Sequence, residues 1–458
     1  MGFNSDTIAA ISTANGAGGI GVIRISGNDS FKIADRIFRS ISGKKLSDMK
    51  GYTAAYGSVY DKENTKLDEA IATVFRKPHS YTGEDVVEIS CHGGMYITKQ
   101  VLRAVINSGA SPAKAGEFTQ RAFLNGKMDL SEAEAVMDII SAKGKTEARA
   151  ALACMDGQIS REIFRINDIL VNCAAHLSAW ADYPEEDIPE VNSDNLRNDL
   201  VSVKNMIEAL LKNYDAGMVI KKGIDTIIAG KPNVGKSTLM NRLAGYEKSI
   251  VTDIPGTTRD IIEETVILGN VTLNLSDTAG LRDTDNIVEK IGVEKARQKL
   301  KTSGLVLAVF DSTQELDSED LNLISVIKDC PSVAIVNKTD GENKLDIQYL
   351  NSQITNVVSI SAKNGDGIET LIKAIEKITG TADFDPSVAT LANERQRDCA
   401  VKALEAVNDA ISAIDMGFTL DAATVSIEDA VQNILEITGE RASEVVVHKV
   451  FSRFCVGK

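Results

Sequence analysis

Residues Gly230-Lys231-Pro232-Asn233-Val234-Gly235-Lys236-Ser237, followed by Thr238, spell a G-x-x-x-x-G-K-S loop. A loop bracketed by glycines in this way turns several backbone N–H groups onto phosphate oxygens at the start of a helix. Its Lys236 ammonium reaches the β- and γ-phosphates of a nucleotide, and its Ser237 hydroxyl ligates Mg2+. Downstream, Asp277-Thr278-Ala279-Gly280 can place a carboxylate in the outer shell of that Mg2+ and a glycine amide near the γ-phosphate. Asn337-Lys338-Thr339-Asp340 comes next, and the Asp340 carboxylate can accept from both N1–H and the 2-amino group of guanine, a pair that adenine does not present. Ser361-Ala362-Lys363 reads as the accompanying loop beside the base. Each short motif is weak alone; in this order they predict a guanine nucleotide, GTP, as ligand.

Between the first two motifs lies Thr252-Asp253-Ile254-Pro255-Gly256-Thr257-Thr258. One of its threonines can complete the Mg2+ shell and sense the γ-phosphate, and Thr258 is the preferred candidate over Thr257. Ras-like enzymes orient the attacking water with a glutamine directly after the D-x-x-G element, but Leu281 stands there and can neither donate nor accept. Another group must do that work. Asp283, Asp285 and Glu289 are within reach, and spacing alone chooses none of them.

The elements that must position these motifs follow from hydrophobic periodicity. From Gly223 to about Gly380, β-rich runs at Ile224 to Ala229, Val271 to Ser276, Leu305 to Phe310, Val333 to Val336 and Val357 to Ile360 alternate with helical segments. That alternation predicts a doubly wound α/β sheet of Ras-like, P-loop type. The first 120 residues show short β-runs (Ile20 to Ile25, Ala54 to Tyr60, Ile71 to Phe75, Val86 to Ser90) between turns, which predicts a compact α+β domain. Helical periodicity fills most of 131–215, opened by an S-x-x-E capping box at Ser131 and Glu134, and returns after Asp385. The expected organisation is therefore a multi-domain α/β plus α chain. Its segments are 1–120, 121–220, 221–380 and 381–458, with the third inserted into one all-helical domain formed by the second and fourth.

The 458 residues, 43% hydrophobic and 25% charged, match ordinary globular composition and exclude a disordered or fibrous protein. A formal net charge of −15 opposes indiscriminate binding to nucleic acid or anionic lipid, so a polyanion would meet a local patch or a partner protein. No apolar run approaches the ~18 residues that span a bilayer. The first residues lack a basic stretch ahead of an apolar one, so no membrane contact and a cytoplasmic location are expected. The six cysteines are scattered without a C-x-x-C pair, which indicates neither a zinc site nor a disulfide framework. Only Cys455 invites a functional reading.

The segments TIAAISTANGAGGIGVIRISG, HSYTGEDVVEISCHGG, AGEFTQRAFLNGKMDLSEAEAVMDII, GKPNVGKST, TDIPGTTRD, DTAGLR and FSRFCVGK resemble the tRNA-modifying GTPase family called MnmE, or TrmE. The likeness runs from near Asp6 to Lys458. It implies a homodimer that hydrolyses GTP when K+ bridges facing G domains, and that works with an FAD-carrying partner, MnmG (GidA), in a heterotetramer. The implied product is an aminomethyl-type group on C5 of the wobble uridine of tRNA. The implied one-carbon donor is a tetrahydrofolate derivative, 5-formyl or 5,10-methylene, held by the N-terminal domain; FAD belongs to the partner alone.

On the matching positions the resemblance gives Asn233, Thr252, Ile254 and Thr257 to K+, Ser237 and Thr258 to Mg2+, and the orientation of water to Glu289. It gives Arg24, Glu88, Lys127 and Lys458 to folate, with Glu88 accepting from pterin N–H groups and the cations meeting anionic or carbonyl oxygens. Read without the family, Arg24 and Glu88 are solvated strand residues and Lys127 a turn residue. Cys455 is the family's tail cysteine, whose thiolate can add to C6 of a uracil ring. The chain departs from the family at Asn15-Gly16-Ala17-Gly18-Gly19, where a Pro-Gly-Arg stretch is usual and a positive charge is missing here. A competing reading is a regulatory GTPase switch that times ribosome assembly without covalent modification.

Overall fold

The computed structural model describes residues 6–14, 16–182, 193–245, 263–276, 303–416 and 420–458. Its chain forms two compact units, each discontinuous in sequence: 1–137 with 160–171 and 428–458, and 138–159 with 172–427.

In the first unit, alternating apolar residues build strands with two distinct faces. The elements are β1 (Ile8–Ile11), β2 (Ile20–Ser26), α1 (Ser30–Ile37), β3 (Phe38–Ser40), β4 (Thr53–Tyr60), β5 (Lys66–Phe75), β6 (Val86–His92), α2 (Met95–Asn107), β7 (Ser111–Pro112) and α3 (Glu117–Leu124). They form a seven-stranded sheet in the order β3-β4-β5-β6-β2-β1-β7. All pairings are antiparallel except β1 with β7. Ile23, Ile25, Val87 and Ile89 pack on one face against Ala34 and Ile37 of α1 and Val101 and Val105 of α2. The opposite face carries Ile8, Ala10 and Arg24, and there Phe118 of α3 and Tyr81 close over Ile8 and Ala10. Three strands that sequence periodicity did not single out, β1, β3 and β7, lie at or next to the sheet's edges and are only two to four residues long.

α4 (Leu130–Ser141) begins earlier than its sequence signature suggests. The reciprocal cap is made by Asp129 and Glu132: Asp129 N donates to Glu132 at 2.9 Å and Glu132 N donates to Asp129 at 2.9 Å. Ser131, expected to be the cap, instead donates its hydroxyl to Asp129 at 2.6 Å. With the helix started at Asp129, Ala133 N already donates to Asp129 O at 2.9 Å, so the amides beyond Glu132 are bonded within the helix and the Ser131 hydroxyl has none to cap.

The helical run continues with α5 (Lys145–Met155), α6 (Gln158–Asp182) and α7 (Ser193–Lys222). A six-stranded sheet follows, with β8 (Ile224–Ala229), α8 (Lys236–Ala244), β9 (Glu263–Leu268), β10 (Val271–Ser276), β11 (Leu305–Asp311), α9 (Ser318–Ile327), β12 (Ser332–Asn337), α10 (Ile347–Gln353), β13 (Val357–Ser359) and α11 (Ile368–Ile378). Its order is β13-β12-β11-β8-β10-β9, parallel except for the antiparallel edge strand β9. Leu239, Leu243, Leu371 and Ile375 from α8 and α11 cover one face, and Ile324, Ile327 and Leu350 from α9 and α10 cover the other. Burial on both faces is why β11 is apolar from Leu305 to Phe310 without alternation.

The chain ends in α12 (Glu394–Asp415), α13 (Leu420–Thr438) and α14 (Glu444–Phe451). α12 runs antiparallel to α7, tied by Arg197–Asp415 at 2.7 Å and by Lys222–Glu394 at 3.7 Å. After α14, in the first unit, Gly116 N donates to Cys455 O at 3.3 Å and Ser12 Oγ donates to Gly457 O at 3.0 Å. Among the described residues no helix is long and apolar enough to cross a membrane.

Candidate nucleotide and N-terminal sites

The phosphate loop runs from the end of β8 to the first turn of α8. Gly230 has φ +145°, and a Cβ there would stand 2.4 Å from Val309 O of the neighbouring strand. Gly235, at φ +97°, caps α8, and its Cβ would stand 2.2 Å from Asn337 Nδ2. Only glycine satisfies both the left-handed backbone and the close approach. The Lys236 ammonium donates to Gly230 O and Lys231 O, both at 2.6 Å, so it lies folded over the loop's main chain. Lys231 faces away from it and pairs with Asp317 and Asp320 at the start of α9, each at 2.7 Å. Ser237 follows in the first turn of α8 with its amide at the positive end of the helix dipole.

Two further loops reach the same strand ends. Asn337, 2% exposed at the end of β12, donates from Nδ2 to Val234 O at 2.8 Å and accepts on Oδ1 from Ala362 N at 2.9 Å. One side chain thus joins the phosphate loop to the base loop. Ser361 donates its hydroxyl to Asp340 Oδ1 at 2.8 Å, which holds the Asp340 carboxyl below its ordinary value of 3.8. Lys338, at φ +65°, donates to Asp311 at 2.6 Å. Burial alone would push the Asp311 carboxyl up; the Lys338 ammonium and the Thr313 hydroxyl and amide outweigh it and hold the group low.

On the second face of the N-terminal sheet, Arg24 of β2 lies directly across from Glu88 of β6, and its Nε donates to Glu88 Oε1 at 2.8 Å. The side chains are 14% and 25% exposed, so they are not the solvated pair that isolated β-runs suggest. The Arg24 guanidinium stands 5.1 Å from the Tyr81 ring and 5.6 Å from the Phe118 ring, near enough for cation–π attraction. Its Nη1 is buried and has no hydrogen-bond partner in the protein, an orphan donor of the kind a ligand satisfies. Lys127 does not join the pair; its ammonium donates to Pro78 O at 3.1 Å. Lys458 N donates to Cys455 O at 3.4 Å, and the Cys455 side chain is exposed.

Residues 130–455 match the family model described as the MnmE helical domain, and residues 7–127 match that of the GTP-binding protein TrmE N-terminus. The tRNA modification GTPase MnmE of Acetivibrio thermocellus is 41% identical over 461 residues, covering 100% of both chains. The MnmE proteins of Clostridioides difficile and Alkaliphilus metalliredigens are 39% and 40% identical, again over the full length of both chains. The chain belongs to the MnmE family of tRNA modification GTPases.

Of the residues that the sequence motifs assign to nucleotide, the structure brings together Asn233, Val234, Gly235, Lys236, Ser237 and Thr238 in the loop and helix start. Asn337, Lys338 and Asp340 join Ser361, Ala362 and Lys363 on the neighbouring strand ends. Thr252, Asp253, Ile254, Pro255, Gly256, Thr257, Thr258, Asp277, Thr278, Ala279, Gly280 and Glu289 lie outside the described residues, as do Asn15, Leu281, Asp283 and Asp285. Sequence reasoning missed Tyr81, Phe118 and Asp311. A signal existed for each: Tyr81 sits in HSYTGEDVVEIS, Phe118 in AGEFTQRAF, and Asp311 closes an apolar strand where a charge needs a partner. His92, at the end of β6, pairs through Nδ1 with Asp68 at 2.7 Å.

Proposed function

We propose that this chain is the GTP-hydrolysing component of a system that builds aminomethyl-type groups, including carboxymethylaminomethyl, on C5 of the wobble uridine of tRNA. The observation that supports it best is the Asn337 side chain, which ties a glycine-bracketed phosphate loop to a base loop holding Asp340. Segments 1–120, 121–220, 221–380 and 381–458 then act as the folate and dimerisation domain, the first helical part, the inserted G domain and the second helical part. The working unit is a homodimer in the cytoplasm that pairs with FAD-carrying MnmG (GidA) in a heterotetramer, and FAD stays on that partner.

GTP is the substrate, and catalysis is positioning plus charge stabilisation. Lys236 leaves the carbonyls of Gly230 and Lys231 and donates to the β- and γ-phosphates, while loop amides from Asn233 to Thr238 meet phosphate oxygens. Asp340 accepts from N1–H and the 2-amino group of guanine. Glu289 orients water for in-line attack on the γ-phosphorus; the P–O bond to the β-phosphate breaks, leaving GDP and phosphate. Ser237 and Thr258 would hold Mg2+, with Asp277 behind it. Asn233, Thr252, Ile254 and Thr257 would hold K+, which would supply the positive charge that an arginine finger supplies in other GTPases.

In the N-terminal domain, the orphaned Arg24 Nη1 beside Tyr81 and the Glu88 carboxylate fit a tetrahydrofolate derivative, with Lys127 and Lys458 as further cations. Cys455, exposed, is free to act as a nucleophile toward a uracil ring or an activated carbon.

Single-turnover GTP hydrolysis by the full chain should run at least tenfold faster in K+ than in Na+ at equal ionic strength, on the order of what a single well-placed charge contributes. Equal rates in the two salts would remove the K+ step. Titration with 5-formyltetrahydrofolate separates this reading from a ribosome-assembly switch. Saturable binding that Arg24→Ala abolishes supports modification chemistry, and no binding by the parent chain supports the switch.

A further inference from the structure

We infer that Arg242 is a positioning residue for guanine selectivity, acting on the base loop through the carbonyls of Ala362 and Lys363. The inference rests on the guanine reading above. α8 starts at the phosphate loop, and Arg242 lies in its last turn. Its Nε donates to Ala362 O at 3.1 Å, and its Nη2 donates to Lys363 O. A planar guanidinium fork can serve two successive carbonyls at once, which a lysine ammonium on a flexible stem does less well.

The consequence is that Ala362 is held from both sides. Its N–H goes to Asn337 Oδ1 at 2.9 Å, and its C=O goes to Arg242. The adjoining Ser361 hydroxyl accepts from Asn364 N at 3.2 Å and donates to Asp340 Oδ1 at 2.8 Å. The chain of contacts runs from α8 through the loop main chain to the carboxylate that reads the base. Gly365, at φ +95°, brings the turn down over the guanidinium: a Cβ there would stand 3.7 Å from Arg242 Cζ. Arg242 is itself exposed, so burial in a core does not account for its two carbonyl bonds. A single helix therefore sets the phosphate loop at one end and the base loop at the other, and fixes the spacing between them.

Hypoxanthine differs from guanine only by lacking the 2-amino group, so the ratio of GDP to IDP affinity reads how well Asp340 is placed. Losing two hydrogen bonds of ordinary net strength should weaken GDP binding by the full-length Arg242→Ala chain about tenfold. IDP, which depends less on Asp340, should weaken less, so the GDP:IDP ratio falls about threefold or more, and Arg242→Lys should recover part of it. A general loosening of α8 would instead weaken both nucleotides in parallel and leave the ratio alone. An unchanged ratio in Arg242→Ala, with GDP still bound tightly by the parent, overturns the positioning role. A parent chain that fails to prefer GDP over ADP overturns the guanine reading beneath it.

Discussion

The Lys231 ammonium is the most consequential charge at the start of the phosphate loop, and its removal should loosen that loop by a calculable amount. Lys231 is 13% exposed and sits between Asp317 Oδ2 and Asp320 Oδ2. Asp317 is half-exposed, so its share is small after solvent screening. Asp320 is 4% exposed and already has a buried Oδ1 without a partner, so losing Lys231 leaves its carboxylate nearly uncompensated. Breaking one side of a buried pair costs about 3 to 5 kcal/mol, and the amide that Asp317 still donates to Asp320 at 3.2 Å argues for the lower end, about 3 kcal/mol. Lys231→Met keeps the apolar stem and removes only the charge. Hydrogen–deuterium exchange by mass spectrometry would then show amides of Gly230–Ser237 and of α9 exchanging roughly 100-fold faster, while the β2–β6 strands stay unchanged. Adding Asp320→Asn should return most of the protection, because the stranded charge is gone. Acceleration under threefold in the single variant would show that this is an ordinary surface pair and refute the reasoning.

Gly235→Ala imposes a left-handed residue, at about 1 to 2 kcal/mol, and drives its methyl to 2.2 Å from Asn337 Nδ2, breaking the bond to Val234 O. Calorimetric titration should show GDP affinity down at least 100-fold, and a loss of under threefold would mean that the loop can move aside. Asp340→Asn should exchange guanine for xanthine, whose C2 carbonyl accepts from the new amide, as measured by competition between GDP and XDP. The Ser361 hydroxyl holds the Asp340 carboxyl below 3.8, so the acceptor stays ionised and the preference for GDP over ADP, in which titration of the shared terminal phosphate cancels, should be flat from about pH 8 to pH 5. That preference should go only as pH falls through the lowered value; its complete loss already at pH 5 would show that Asp340 is not the acceptor.

The phosphate loop was legible because its chemistry is local. Eight consecutive residues carry the turn, the amides and the cation, and the left-handed backbone at Gly235 needs no distant partner to be anticipated. The parallel strands were legible for a related reason: burial on both faces leaves uninterrupted apolar runs such as Leu305 to Phe310. β9 was not, since it lies at the edge and opens on Glu263 and Glu264. The cap of α4 was displaced by two residues because Asp129 and Ser131 both carry capping chemistry with a glutamate three residues on, and only the folded chain shows that the helix starts at the first of them.

Arg24 marks the boundary most clearly. Its alternation within β2 dictates that it faces away from Ile23 and Ile25, but not that Tyr81 and Phe118 come to stand beside it, nor that Glu88 is its partner across the strands. Residue order alone determined which loops carry phosphate and base chemistry, since turn geometry and hydrogen-bonding capacity belong to neighbours along the chain. Only the folded chain decided what those loops lean on: Asn337 against Val234 and Ala362, Lys338 on Asp311, Lys231 on Asp320. Those contacts join residues far apart along the backbone, and their strength depends on distance and burial, which arise when the strands assemble.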